Sequence, residues 1–116
     1  MKKLIFLLPL ILISSEDFIS HYDYGKMLYE SPRGVSCVQC HGLNAEGKTI
    51  VEYETKLGKK YIKGSDIRRV DLPKMIQSLN KNHAIMPRYY LTEHEVKAIY
   101  DYLQKRNSSY LSNLGT

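Results

Sequence analysis

Cysteine is scarce in this chain, tryptophan is missing, and no apolar run is long enough to cross a bilayer. Each absence removes a class of protein. Two cysteines in 116 residues build no disulfide framework of the kind that holds small secreted domains together. The pair, Cys37 and Cys40, would close a loop too small to be a useful structural staple. The longest apolar stretch runs from Leu4 to Ile13, broken only by Pro9, and falls short of the roughly 20 residues a membrane-spanning helix needs. No internal repeat and no low-complexity tract is present. The 17 basic residues are scattered, without the stripe or arginine-rich block of a nucleic-acid-binding face.

What is there begins with a leader. Met1-Lys2-Lys3, the apolar run, the small Ser14 and Ser15 and the polar Glu16-Asp17 follow the order of a secretory signal peptide. A cut is expected near Ser14 or Ser15, although no A-x-A pattern marks it; an uncleaved interfacial anchor is the alternative. On this reading residues 1–15 are the signal peptide and residues 16–116 form one domain. The location is periplasmic, with the membrane touched only through an uncleaved leader. The net charge of +5 drops to +3 without Lys2 and Lys3 and further with an anionic cofactor. A domain of about 100 residues is marginal on apolar burial alone and often gains stability from a cofactor or crosslink.

Periodicity predicts helix from Asp17 to Glu30, with Phe18, Tyr22, Met27 and Tyr29 as its larger residues and Gly25 among them. Pro32 and Gly34 end it, and Val35–Lys48, with Gly42 and Gly47, reads as a loop around a site. Ile50-Val51-Glu52-Tyr53 and Lys60-Tyr61-Ile62-Lys63 predict a small β-hairpin within residues 49–63, turning at Leu57-Gly58. Asp71 caps a helix through about Lys81, with Pro73 tolerated in its first turn and Met75, Ile76 and Leu79 on one face. Thr92-Glu93-His94-Glu95 fits a capping box; Val96, Ile99, Tyr100 and Leu103 then recur at helical spacing up to about Arg106. Asn107–Thr116 is Ser/Asn-rich and reads as a loosely held tail. The sum is an all-α domain with one small hairpin insertion.

Cys37-Val38-Gln39-Cys40-His41 carries the chemistry. Two thiols three residues apart can add to the vinyl groups on adjacent pyrroles of one porphyrin, and a histidine directly after the second is placed beneath the iron. C-x-x-C-H is accordingly the sequence pattern of covalent haem attachment. Three rival readings exist. A thioredoxin-like dithiol also uses C-x-x-C, but normally follows a strand in a βαβ pattern that is not seen here. Zinc wants four ligands, and no second paired-ligand motif is present. A plain disulfide is the third. For the sixth iron position the candidates are Met86, Met75, Met27, His83 and His94. Met86 is favoured because Pro87 stiffens its segment and keeps it out of helix, whereas a helix-face methionine such as Met75 is more often core. His94 and His21 read as surface residues, and His83 as a residue near a helix C-terminus.

C-V-Q-C-H-G, a glycine-containing loop, Met86-Pro87 and a capped last helix ending in Tyr-Asp-Tyr-Leu together resemble a class I c-type cytochrome, a small monohaem bacterial cytochrome c. The resemblance spans about Asp17 to Arg106. It implies one covalent haem c on Cys37 and Cys40, with His41 and Met86 as iron ligands. The other ring nitrogen of His41 would bond a backbone carbonyl. It also implies that the first and last helices cross closely, with Gly25 and Tyr29 meeting Ile99 and Tyr102. The implied activity is one-electron transfer between redox partner proteins, not enzymatic turnover. Lys59, Lys60, Lys63, Arg68, Arg69 and Arg88 form either a steering surface for an acidic partner or an ordinary solvated face. Two features depart from the shortest members: the size of the 49–63 insert, and ten tyrosines with no tryptophan, Tyr89 and Tyr90 directly following the ligand loop. A haem subunit of a larger oxidoreductase, a haem-free C-x-x-C oxidoreductase and an open-iron ligand sensor are the alternatives.

Overall fold

The computed structural model describes residues 19–114. The expected leader lies outside them, as do Asp17 and Phe18. The elements are α1 (His21–Glu30), α2 (Cys37–His41), β1 (Lys48–Thr55), β2 (Gly58–Gly64), α3 (Leu72–Leu79), α4 (Glu93–Arg106) and α5 (Ser108–Leu114). Helices cover 46% of the described residues, so the domain is mainly helical rather than purely so. No helix among these residues is long and apolar enough to cross a membrane.

The frame is the crossing of α1 and α4. Ser20 starts α1 by accepting the Asp23 amide proton at 3.0 Å. The capping box starts α4: the Glu95 amide donates to Thr92 Oγ1 at 3.1 Å and the Thr92 amide donates to Glu95 Oε1 at 2.8 Å. Gly25 meets α4 where a side chain would collide; a Cβ there would fall on the Ala98 carbonyl oxygen and lie 2.7 Å from Tyr102 Cβ. Around this contact the tyrosines do the work of larger aromatics. The rings of Tyr22 and Tyr102 meet edge-on at 5.0 Å and those of Tyr29 and Tyr102 lie 5.9 Å apart. Leu28, Val96, Ile99 and Leu103 complete the buried centre.

A tyrosine core needs buried acceptors. The Tyr29 hydroxyl donates to the Gly42 carbonyl at 2.7 Å, just beyond the C-x-x-C-H motif. Tyr29→Phe keeps the ring and leaves that carbonyl with the Ala45 amide at 3.2 Å alone, so a stability loss of about 1 kcal/mol is expected. Urea unfolding checks this, and an unchanged midpoint would mean that the bond contributes nothing.

Glu95 has a second partner. Arg33 donates to its two carboxylate oxygens at 2.8 and 3.0 Å. That bond first, and the Thr92 amide after it, hold the Glu95 carboxyl near 2 instead of the ordinary 4.5. A lowered folded-state pKa adds stability above the unfolded value and loses it as pH falls through the folded one. The stability gap between wild type and Glu95→Gln should therefore be constant above pH 4.5 and close towards pH 2. Acid titrations followed by circular dichroism read it, and a gap independent of pH would refute the assignment.

The hairpin is present and projects from the domain. Its register pairs Thr55 with Gly58 and Glu54 with Lys59, so the two turn residues are Lys56 and Leu57, one position earlier than the expected Leu57-Gly58. Gly58, at φ +119°, takes the conformation that closes the turn. A bulge between Thr49 and Val51 re-aims Ile50. At the hairpin's base Gly64 lies directly on the Cys40 carbonyl, and a Cβ there would overlap it.

Asp71 caps α3 through the Lys74 amide at 2.9 Å. The helix stops at Leu79 rather than Lys81, because Asn80 turns its side-chain amide back onto the Ile76 carbonyl at 2.9 Å. Of the Asn107–Thr116 segment expected to be a loose tail, the described part is corrected: α5 occupies Ser108–Leu114. Asn107 is buried, its carbonyl accepts the Leu111 amide at 2.9 Å, and the Arg68 guanidinium stacks 3.6 Å from the Tyr110 ring centre. Composition alone hid a helix whose stability is tertiary.

Candidate functional site

The C-x-x-C-H motif is itself a helical turn, where sequence reading predicts loop. Ser36 caps α2, accepting the Val38 amide at 3.2 Å. Helical spacing then brings residues 37, 40 and 41 to one side of the turn. Gly42, at φ +92°, ends it, and the Gly47 amide returns to the His41 carbonyl at 2.5 Å.

His41 is 9% exposed, and its Nδ1 lies 2.8 Å from the Ser65 carbonyl oxygen. A carbonyl only accepts, so Nδ1 carries a proton, and in the neutral ring the lone pair is on Nε2. No group among the described residues bonds that second nitrogen. This is the second-sphere arrangement of a metal-binding imidazole. The hairpin supplies it, since Ser65 directly follows β2 and Gly64 sets β2 down on Cys40. Nothing in the sequence singled out Ser65; a glycine at the end of a strand was the one hint of close backbone approach.

The ring lines a cavity of about 400 Å³, within the roughly 300–1,000 Å³ of cofactor pockets. Cys37, Cys40, His41, Met75, His83 and Met86 all border it. The remaining walls are largely apolar, Ile50 and Ile99 among them, and Lys63 and Lys74 are its two cationic members. Lys74 was not foreseen. The structure thus sorts the sixth-ligand candidates. Met27, 46% exposed on α1, and His94, beside His21 and Tyr24, lie elsewhere. His83 donates its Nε2 proton to the Ser78 carbonyl at 2.8 Å, which occupies the usual ligating atom. Met75 is 6% exposed in the α3 core. Met86 sits in the loop after α3 and is half-buried.

The rival chemistries fare poorly here. Cys37 and Cys40 are free thiols at a helix turn beside a two-stranded antiparallel sheet, with no βαβ unit among the described residues. Burial pushes the Cys37 thiol up to about 12, the reverse of what a dithiol nucleophile needs. No group of three His, Cys, Asp or Glu side chains is placed for a metal ion among the described residues. Of the six basic residues singled out, Lys59 pairs with Glu52 at 3.0 Å and Arg68 with Asp66 at 2.7 Å. The Arg68 bond outweighs partial burial and lowers the Asp66 carboxyl. Arg88 lies over the Tyr90 ring.

A mainly helical domain that folds a C-x-x-C-H turn against an apolar cavity, with a lone-pair imidazole facing it, defines a haem-attaching protein. The Cytochrome c family model matches residues 22–107, and the chain belongs to that family. Membership implies covalently bound haem c and haem-based electron transfer, its members being generally electron carriers. No curated protein and no solved structure matches the chain.

Proposed function

We propose that the protein is an exported monohaem carrier of the class I type, passing single electrons between redox partner proteins in the periplasm without enzymatic turnover. The observation that carries this reading is the one cavity shared by His41, with its lone pair on Nε2, and Met86. Cys37 and Cys40 would anchor the haem by thioethers. His41, oriented by Ser65, would be the fifth iron ligand and Met86 the sixth. When bound, the haem supplies Fe(III)/Fe(II) chemistry. The chain's own residues hold it, exclude water with apolar walls, and place Lys63 and Lys74 as counter-charges for two propionates. A thioether ligand raises the potential relative to a second nitrogen or a thiolate.

Visible spectra of the oxidised and reduced protein test this, with material from an exporting host that attaches haem. Denaturation in alkaline pyridine then counts covalent haem. Sharp reduced c-type bands, one haem per chain and the weak far-red band of methionine-ligated ferric haem are expected. Colourless, correctly exported protein would sink the proposal.

One observation favours the second reading, a haem subunit with a fixed partner. Val51 and Tyr53, both nearly half exposed, share one hairpin face with Ile62 and Lys60, a mostly apolar strip that suits a standing contact. Purification as a monomer from the native host supports the free carrier; a stoichiometric complex supports the subunit.

A further inference from the structure

The chain from Asn80 to Thr92 carries Met86 and has no helix or strand of its own. Its return to the domain is held at three points. The Tyr89 amide donates to the Leu79 carbonyl at 3.0 Å, and the Tyr89 hydroxyl to the Val35 carbonyl at 2.5 Å. The Arg33 guanidinium donates to the Tyr90 carbonyl at 3.1 Å. The last two reach into residues 33–35, immediately ahead of Cys37. The same guanidinium bonds both oxygens of Glu95, which caps α4. One side chain therefore joins the approach to the haem-attachment turn, the loop that carries Met86 and the start of the last helix.

The backbone marks the position as unusual. Arg33 has φ +62°, a left-handed conformation that glycine adopts freely and a branched or long residue adopts at a cost. Glycine would ease the backbone there but would bring no guanidinium. A planar fork of five donors serves both carboxylate oxygens and a carbonyl in one fixed geometry, which an ammonium does less well. In Arg33→Gly the lost pair, in which Arg33 is 58% and Glu95 13% exposed, is offset by relief of the left-handed backbone, so global stability changes little. The effect of the guanidinium is then local, on the loop it holds.

We propose that Arg33 is a positioning residue for the sixth iron ligand: its guanidinium, bridging Glu95 and the Tyr90 carbonyl, latches the Met86 loop to the haem-attachment segment. The spectroscopic consequence rests on Met86 being that ligand; the latch itself does not.

Three variants of the holoprotein test it: Arg33→Gly, Arg33→Lys and, as a control, Lys97→Ala, which breaks an exposed 2.7 Å pair with Asp101 on α4 outside the latch. The readouts are imidazole affinity of the ferric protein, far-red band intensity, exchange of the Tyr89 amide proton, and the urea midpoint. Arg33→Gly is expected to raise imidazole affinity and Tyr89 exchange on the order of tenfold, as loss of a charge-assisted bridge would. The far-red band should weaken while the urea midpoint stays near wild type. Arg33→Lys should fall between, and Lys97→Ala should match wild type. Wild-type imidazole affinity and Tyr89 exchange in Arg33→Gly would overturn the proposal. So would changes that merely track a fall in the urea midpoint. If the wild type itself lacks the far-red band, the Met86 reading fails separately. Tyr89 exchange alone then decides the latch: faster in Arg33→Gly supports it, unchanged refutes it.

Discussion

Gly25→Ala is expected to destabilise the protein by about 3 kcal/mol or more, a large share of the stability of a domain this size. Two effects oppose each other at this position. Alanine is the better helix former by about 1 kcal/mol, which favours the variant. Against it, the new methyl would occupy the space of the Ala98 carbonyl oxygen and lie 2.7 Å from Tyr102 Cβ. A carbonyl inside a helix cannot yield without breaking α4, and Tyr102 is held between Tyr22 and Tyr29. The helices must separate, opening the contact that buries Leu28, Ile99 and Leu103. The steric term therefore wins. A fall in melting temperature of roughly 12–24 °C follows from the usual conversion for a domain of this length. A fall of under about 5 °C would mean that α1 can slide past α4 without loss.

Met86→Ala should leave the fold and, on the proposed ligation, remove the sixth iron ligand. Met86 is half-buried in a loop, so its truncation makes only a small cavity. The far-red band should vanish, imidazole should bind the ferric protein, and the potential should fall on the order of 0.1–0.3 V, inside the ~0.8 V span that axial ligands command. Met75→Ala supplies the contrast. Met75 lies on α3 among buried neighbours, so it should cost about 2–5 kcal/mol of stability and keep the band. Redox titration and spectra of the two variants decide between the cavity's methionines. If Met75→Ala loses the band and Met86→Ala keeps it, the ligand assignment is reversed.

Much of the architecture was legible because it is local. The capping box of Thr92 and Glu95, the Asp71 cap and the hairpin around Gly58 each depend on residues within a few positions of one another. The α1–α4 contact was legible for a different reason: the family resemblance paired Gly25 and Tyr29 with Ile99 and Tyr102, and glycine in a helix has few other uses. The misreadings were of elements whose stability lies elsewhere in the chain. Ser/Asn-rich α5 is poor in intrinsic preference and is tied to the rest of the domain by the Arg68–Tyr110 stack. The helical turn at Cys37–His41 was hidden by the glycines that follow it.

The same division runs through the site. C-x-x-C-H by itself pointed to covalent haem, because two thioethers and an adjacent imidazole on one porphyrin would need that spacing and nothing distant. Only the tertiary structure decided that Ser65, 24 residues on, orients His41, and that Met86 borders the cavity while Met27 and His94 do not. Only it brought Arg33, Tyr90 and Glu95 together. A backbone carbonyl has no residue identity to read, and a methionine looks alike in a core, on a surface or facing a metal. What separates these cases is where folding closes the loops between them.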